Sequence, residues 1–313
     1  MKASFYTDEN EVQWENLVRA SHRATFQHTR KFLGYHKDRF HDRSVIVEED
    51  GKLIALLPAV AHPNDFRILV SHAGATYGGL IVDNTIYGEG LIALIELIKK
   101  FLNKEGFRKL IYKSTPSIYH VSQDEDDLYA LFRTGAILER VDINTVLDTN
   151  NRLKISNLRK RSYKKAQKSD LNIDRNFSNL QAFHSVLVKN LSDKHDAIPV
   201  HSVSELEYLK DIFGEVLELV VAKNSAGEVV AGVLFFRINK VCHAQYIASS
   251  SSGYASGALD YIFEDQISNN LGSLIAFGTS NENDGKVLNQ TLYRFKRQFG
   301  SGSVVHFTYT LDL

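Results

Sequence analysis

Apolar residues recur along this chain in two rhythms, every third or fourth position and every second position, and stretches of each kind alternate. Residues 10–33 carry Trp14, Leu17, Val18 and Phe26 at helical spacing and predict one helix. Residues 44–60, SVIVEEDGKLIALLPAV, hold two aliphatic runs joined by Asp50-Gly51, a dipeptide suited to a tight hairpin turn. A short strand at 67–70 leads into SHAGATYGGL, where Gly74, Gly78 and Gly79 predict a loop whose backbone can approach another group closely. Residues 88–103 are apolar at 91, 94, 95, 98, 101 and 102 and predict a helix. A strand at 109–113 stopped by Pro116, a helix at 128–134 followed by Gly135, and extended chain at 137–147 complete the first half.

The second half repeats that order. Residues 180–191 and 203–213 predict helices, and 217–236 a second hairpin turning at 225–227. A strand at 241–248 runs into the polar loop SSSSGYASG, 249–257. Then come a helix at 258–269, a strand at 274–277, a helix before Gly300 and a last strand at 304–310. Two units of about 150 residues with one element order read as an internal duplication. Hairpins mixed with crossing helices imply an α/β or α+β sheet covered by helices.

Composition narrows the class. The 313 residues suffice for two ordinary domains, and hydrophobic and charged fractions of 43% and 24% are those of globular protein. Formal net charge is zero, so nothing in the overall charge points to a wholesale nucleic-acid or membrane surface. The single cysteine, Cys242, excludes an intrachain disulfide and a thiolate-rich metal site, and its strand-like surroundings predict a buried thiol. The first residues lack a signal-peptide apolar core, and the apolar-rich stretch 91–98 is too short to span a bilayer, so a cytoplasmic setting is expected. His195 and His201, six apart, lack a partner with metal-ligand spacing, and no metal is expected. One segment departs from the neutral average. Residues 151–169 carry Arg152, Lys154, Arg159, Lys160, Arg161, Lys164, Lys165 and Lys168 and no acid. That run is either a solvated helix face at a domain junction or a surface for phosphate or RNA.

The chemistry concentrates at 280–300. Leu288, Leu292, Phe295 and Phe299 make one helical stripe. Lys286, Arg294 and Arg297 point away from it, whereas Lys296 sits about 60° from its centre, on the border. Such a lysine either lays its stem on the core edge with its ammonium in water, or holds a cation at a cleft where negative charge develops. TLYRFKRQFG resembles the Ser/Thr-Leu-Tyr-x-Phe-Lys segment of the FemABX family of non-ribosomal peptidyltransferases. FGTSNEND is similar to the glycine and Ser-rich acidic loop that precedes it there. The resemblance implies two tandem acetyltransferase-like (GNAT) domains, 1–148 and 149–313, each a mixed β-sheet flanked by helices, with the last strand, 303–313, returning to the first domain. It also implies that Phe295 and Lys296 lie in the active site.

In GNAT domains the acyl donor's pyrophosphate rests on the loop after the central strand, where free N–H groups and a helix dipole favour an anion. The matching residues are Ser251, Ser252, Gly253, Tyr254 and Gly257, without the leading basic residue of the usual GNAT pattern. By the same resemblance an acceptor lies against His195 and His201, in KHDAIPVH, and against Tyr35, His36, Lys37, Arg39, Ser71, His72 and Tyr77. The stretches YHKDRFHDRS and SHAGATYGG further resemble FemAB-like proteins of bacterial surface-polysaccharide synthesis, which implies an amino-sugar acceptor. The expected function is therefore an N-acyltransferase that moves an acyl or aminoacyl group to the amine of a sugar nucleotide or glycan precursor. Its donor, acyl-CoA or aminoacyl-tRNA, is a co-substrate, and no tightly bound cofactor is expected. The rivals are an acetyl-CoA-dependent N-acetyltransferase of the same fold and a non-enzymatic domain pair that binds glycan or RNA.

Overall fold

The computed structural model describes residues 1–35, 39–195, 198–270 and 272–313, with the backbone alone for 194 and 195. The chain divides into two compact units. Unit 1 comprises residues 1–142, 283–286 and 305–313, and unit 2 comprises 143–282 and 287–304.

Unit 1 begins with β1 (Lys2–Phe5), antiparallel to β2 (Val45–Glu49), which forms a hairpin with β3 (Lys52–Leu57). Asp50 and Gly51 both take positive φ, +49° and +77°, as a two-residue hairpin turn requires. The short β6 (Ile81–Val82) closes this sheet beside β3. A second set runs β4 (Val60–His62), β5 (Asp65–Val70), β7 (Lys109–Lys113) and the 305–312 part of β16 (Gly302–Asp312). β5 and β7 are parallel, joined by the crossover helix α3 (Glu89–Lys104). Leu91, Leu94, Ile95, Ile98 and Leu102 of α3 pack on Leu69, Leu110, Tyr112 and Leu311 as one core. Helix α4 (Asp126–Arg133) precedes β8 (Ile137–Asp148). The expected helix at 10–33 is broken into α1 (Glu11–Ala20), a 3₁₀ turn at Phe26–His28 and α2 (Arg30–Gly34). Thr25 and Thr29 accept backbone N–H groups as caps, and Arg23, 1% exposed, turns inward to Asp124. Side chains that bond the local backbone favour chain ends over helix interiors.

Unit 2 repeats the plan in the order β8-β13-β12-β11-β10-β9, with β9 at Asn172–Asp174. β10 (Leu217–Lys223) and β11 (Val229–Ile238) are a hairpin, β12 (Val241–Ser249) is antiparallel to β11, and β13 (Leu274–Thr279) is parallel to β12. Residues 144–148 of β8 run antiparallel to β13. A basic helix α5 (Asn157–Gln167) precedes β9, and α6 (Leu180–His195) and α7 (Val203–Phe213) precede the hairpin. The expected loop at 249–257 is instead helix α8 (Ser251–Ser256), capped by the Ser250 hydroxyl on Gly253 N and ended by Gly257 at φ +80°. α9 (Ala258–Asn269) follows at once and is the crossover to β13. The two-residue strands β14 (Asn281–Glu282) and β15 (Val287–Leu288) lead to α10 (Gln290–Arg297). The core joins α9 to the sheet through Phe263, Ile262, Phe235, Phe277 and Phe299. Cys242 is buried there, and burial pushes its thiol up.

Candidate functional site

The parallel strands of unit 2 part company. β12 and β13 are paired only from Val241↔Leu274 to His243↔Ala276, although β12 continues to Ser249 and β13 to Thr279. The far part of β13 follows β8 instead, as far as Thr279↔Asn144. Its register shifts between Ala276 and Thr279, and Gly278 in that interval takes φ +78°. A bulge with glycine in the left-handed region re-aims the backbone at low cost. Here the carbonyls of Gly278 and Thr279 turn towards one side chain. Lys296 Nζ donates to them at 3.0 and 2.6 Å.

Lys296 is 3% exposed and makes no ion pair with any described residue. Burial lowers its pKa from 10.5 to about 7. The stripe geometry placed it on a border; the structure puts it further in than Leu292, which is 37% exposed. Leu288 lies on β15, so the apolar side of α10 rests on Phe295 and the fully buried Phe299. Arg294 and Lys286 are exposed and Arg297 half-buried. Phe295 meets Phe299 edge-on, 5.4 Å between centroids, under the Arg159 guanidinium at 5.1 Å. Beside the lysine's second carbonyl, Ser280 is 1% exposed and its hydroxyl has no hydrogen-bond partner among the described residues. The result is a desolvated cation and an uncommitted hydroxyl at the carboxyl end of a strand fork, the usual ligand position in open α/β sheets.

Of the expected donor residues, Ser251, Ser252 and Tyr254 are exposed on α8. Gly253 and Gly257 are buried for packing reasons. A Cβ on Gly253 would lie 2.3 Å from Val230 O, and one on Gly257 2.5 Å from Ser162 O. Bulk at either position therefore strains the fold. His201 is buried and joined to Tyr246 on β12. The Tyr246 hydroxyl accepts the His201 backbone N–H at 3.2 Å and lies within hydrogen-bond distance of the imidazole Nδ1, 2.6 Å away. The His195 side chain lies outside the described residues.

The remaining acceptor candidates belong to unit 1. His36 and Lys37 lie outside the described residues. Tyr35 is buried against Phe32, with the exposed Arg39 over its ring at 5.7 Å. Ser71, His72 and Tyr77 are all buried in the glycine loop. The Ser71 hydroxyl accepts Lys113 N at 2.7 Å, and Tyr77 donates to Thr25 Oγ1 at 3.1 Å. Sequence reasoning missed the two groups that hold this loop. Lys113, at the end of the parallel pair, donates to the carbonyls of His72 and Ala75, and burial lowers its pKa to about 8. His28 accepts Thr25 N at Nδ1 and donates from Nε2 to Gly78 O; burial holds it neutral with a pKa of about 4. Lys113 closes an alternating strand and gave no signal of its own, whereas His28 beside two capping threonines is legible as a turn residue.

No protein-family model and no curated protein matches this sequence. Solved structures do match its fold. FemX superposes with a TM-score of 0.68 at 12% identity over 100% of this chain and 98% of its own. L-PGS from Bacillus licheniformis gives 0.61 at 12% over 96% and 90%. A tandem GNAT protein from the clavulanic acid biosynthesis pathway gives 0.51 at 10% over 99% and 98%. The chain thus has the tandem GNAT fold of these proteins, a mixed α/β architecture with one GNAT-like plan in each unit.

Proposed function

We propose that this chain is an N-acyltransferase, and that the fork of unit 2 holds the reacting carbonyl. The observation that carries the reading is Lys296, a buried ammonium bonded to two main-chain carbonyls with no described carboxylate to neutralise it. An amine acceptor attacks the donor carbonyl directly, so no enzyme nucleophile is required. As the new C–N bond forms, charge gathers on the carbonyl oxygen. A cation in a dry site stabilises that oxyanion strongly and needs no reorganisation. When the intermediate collapses, the C–S or C–O bond to the donor breaks, the leaving group takes a proton and the amide remains. With a pKa of about 7, Lys296 can supply that proton near neutrality and take up in exchange the one that the attacking amine nitrogen sheds, which restores the cation. Phe295 shapes the wall. Ser251, Ser252 and Tyr254 face solvent as the donor contact, and His201 with Tyr246 lies on the acceptor side.

The acceptor we propose is the amine of a sugar nucleotide or glycan precursor, and the donor an acyl-CoA or aminoacyl-tRNA. FemX and the tandem GNAT protein share the fold and support acyl transfer as the class. Lys296→Met keeps the stem, so kcat should fall by about 10²–10³ while KM moves little. Arg297→Met, on the adjoining position, is the control and should be nearly silent. If both variants turn over alike, the reading is wrong. Thermal unfolding with acetyl-CoA, an aminoacyl-tRNA mimic or a nucleotide-linked amino sugar identifies the substrates. A true ligand at 100 times its Kd adds about 2.7 kcal/mol.

A further inference from the structure

The basic segment 151–169, which contains α5, is not used by this chemistry. Of its eight cations, Arg152 and Arg159 are spent inside unit 2. Arg152, ahead of α5, pairs with Glu264 at 2.6 Å and Arg159 of α5 with Asp260 at 2.9 Å, which ties the 151–169 segment to α9. The other six, Lys154, Lys160, Arg161, Lys164, Lys165 and Lys168, are exposed and make no ion pair with a described residue. From Lys160 to Lys168 they occupy an arc of about 140° on one side of the helix. The whole chain has zero formal charge, so this face is set against a net acidic remainder. Such a charge dipole orients the molecule towards an anionic surface.

We infer that α5 is a docking face for a membrane surface containing anionic phospholipid. Two features favour lipid over nucleic acid. Five of the six free cations are lysines, two of the segment's three arginines with their planar forks being committed inside unit 2. Leu153 and Leu158, 53% and 45% exposed, flank the cations and offer apolar contact at the headgroup boundary. The rigid attachment through Glu264 and Asp260 keeps the lysines displayed without folding on binding.

The test is sedimentation of the full chain with phosphatidylcholine vesicles, with and without about 30 mol% phosphatidylserine. The protein should sediment with the anionic vesicles only, and release as salt rises to about 0.5 M. Lys160→Gln/Lys164→Gln/Lys168→Gln should weaken that binding about a hundredfold at unchanged melting temperature. Leu153→Ser/Leu158→Ser should weaken it and leave any retention of duplex RNA unaltered. Failure to sediment at low salt, or equal binding by the triple-lysine variant, overturns the inference. So does tighter binding to duplex RNA than to vesicles at one ionic strength, which would make the face an RNA contact.

Discussion

A lysine ammonium is among the costliest groups to bury, and among the described residues Lys296 meets that cost with two main-chain carbonyls. Its pKa of about 7 against 10.5 in the unfolded chain makes the cost visible. Between those values the unfolded chain binds more protons than the folded one, so this residue makes stability rise with pH from about 7 to about 10.5. Lys296→Met removes the term. Its stability relative to the native chain should be most favourable below pH 7 and decline towards pH 10. Urea unfolding at both ends of that window checks it; a difference that does not move with pH would mean that the ammonium is solvated. The same titration appears in catalysis. A rate that needs the cation declines as pH rises through about 7, and this limb should vanish from the pH profile of the methionine variant.

At the scale of elements, α5 and α9 depend on a buried pair. Asp260 and Arg159 side chains are 4% and 13% exposed. Burial raises the Asp260 pKa to about 6, and Arg159 pulls it the other way. Arg159→Met leaves a carboxylate without its cation and also strips the guanidinium from the Phe295 and Phe299 rings. A loss of about 3–5 kcal/mol is expected, with Arg159→Met/Asp260→Leu recovering most of it. A carboxyl with a raised folded pKa binds more protons folded than unfolded, so its contribution falls as pH rises from about 4 to about 6. Without Arg159 that fall should steepen and extend upward. Chemical denaturation from pH 4 to 8 measures it, and a flat profile would show that the pair is solvated.

For the molecule as a whole, chain order and unit membership disagree. Residues 305–312 of β16 follow unit 2 in the chain yet belong to unit 1, where residues 308–312 pair with β7 and Leu311 is 1% exposed. Residues 1–142 alone would leave β7 as an open edge beside an unfilled core, a liability for aggregation. That fragment should be insoluble. The same fragment with residues 302–313 joined by a Gly/Ser linker should be monomeric and unfold cooperatively. Equal solubility and midpoints for the two would show that β16 is dispensable to unit 1.

What the sequence determined by itself is what local spacing controls. Asp50-Gly51 turned a hairpin because both residues accept positive φ. The apolar rhythm of 88–103 became α3 with only a one-residue shift, because one face of a helix is written in consecutive residues. The repeated order of hairpin, crossover helix and parallel strand was likewise readable. Tertiary structure decided whatever depends on a distant partner. Helix 10–33 broke where Arg23 reached Asp124, 101 positions on. The polar run at 249–257 coiled because its glycines fit against Val230 and Ser162. Eight like cations look alike in sequence, and carboxylates 101 and 112 positions away selected two of them for the interior. Lys296 was flagged by its helical angle and its neighbours. Its burial rests on carbonyls 17 and 18 residues upstream, turned towards it by a bulge at Gly278 that no periodicity encodes.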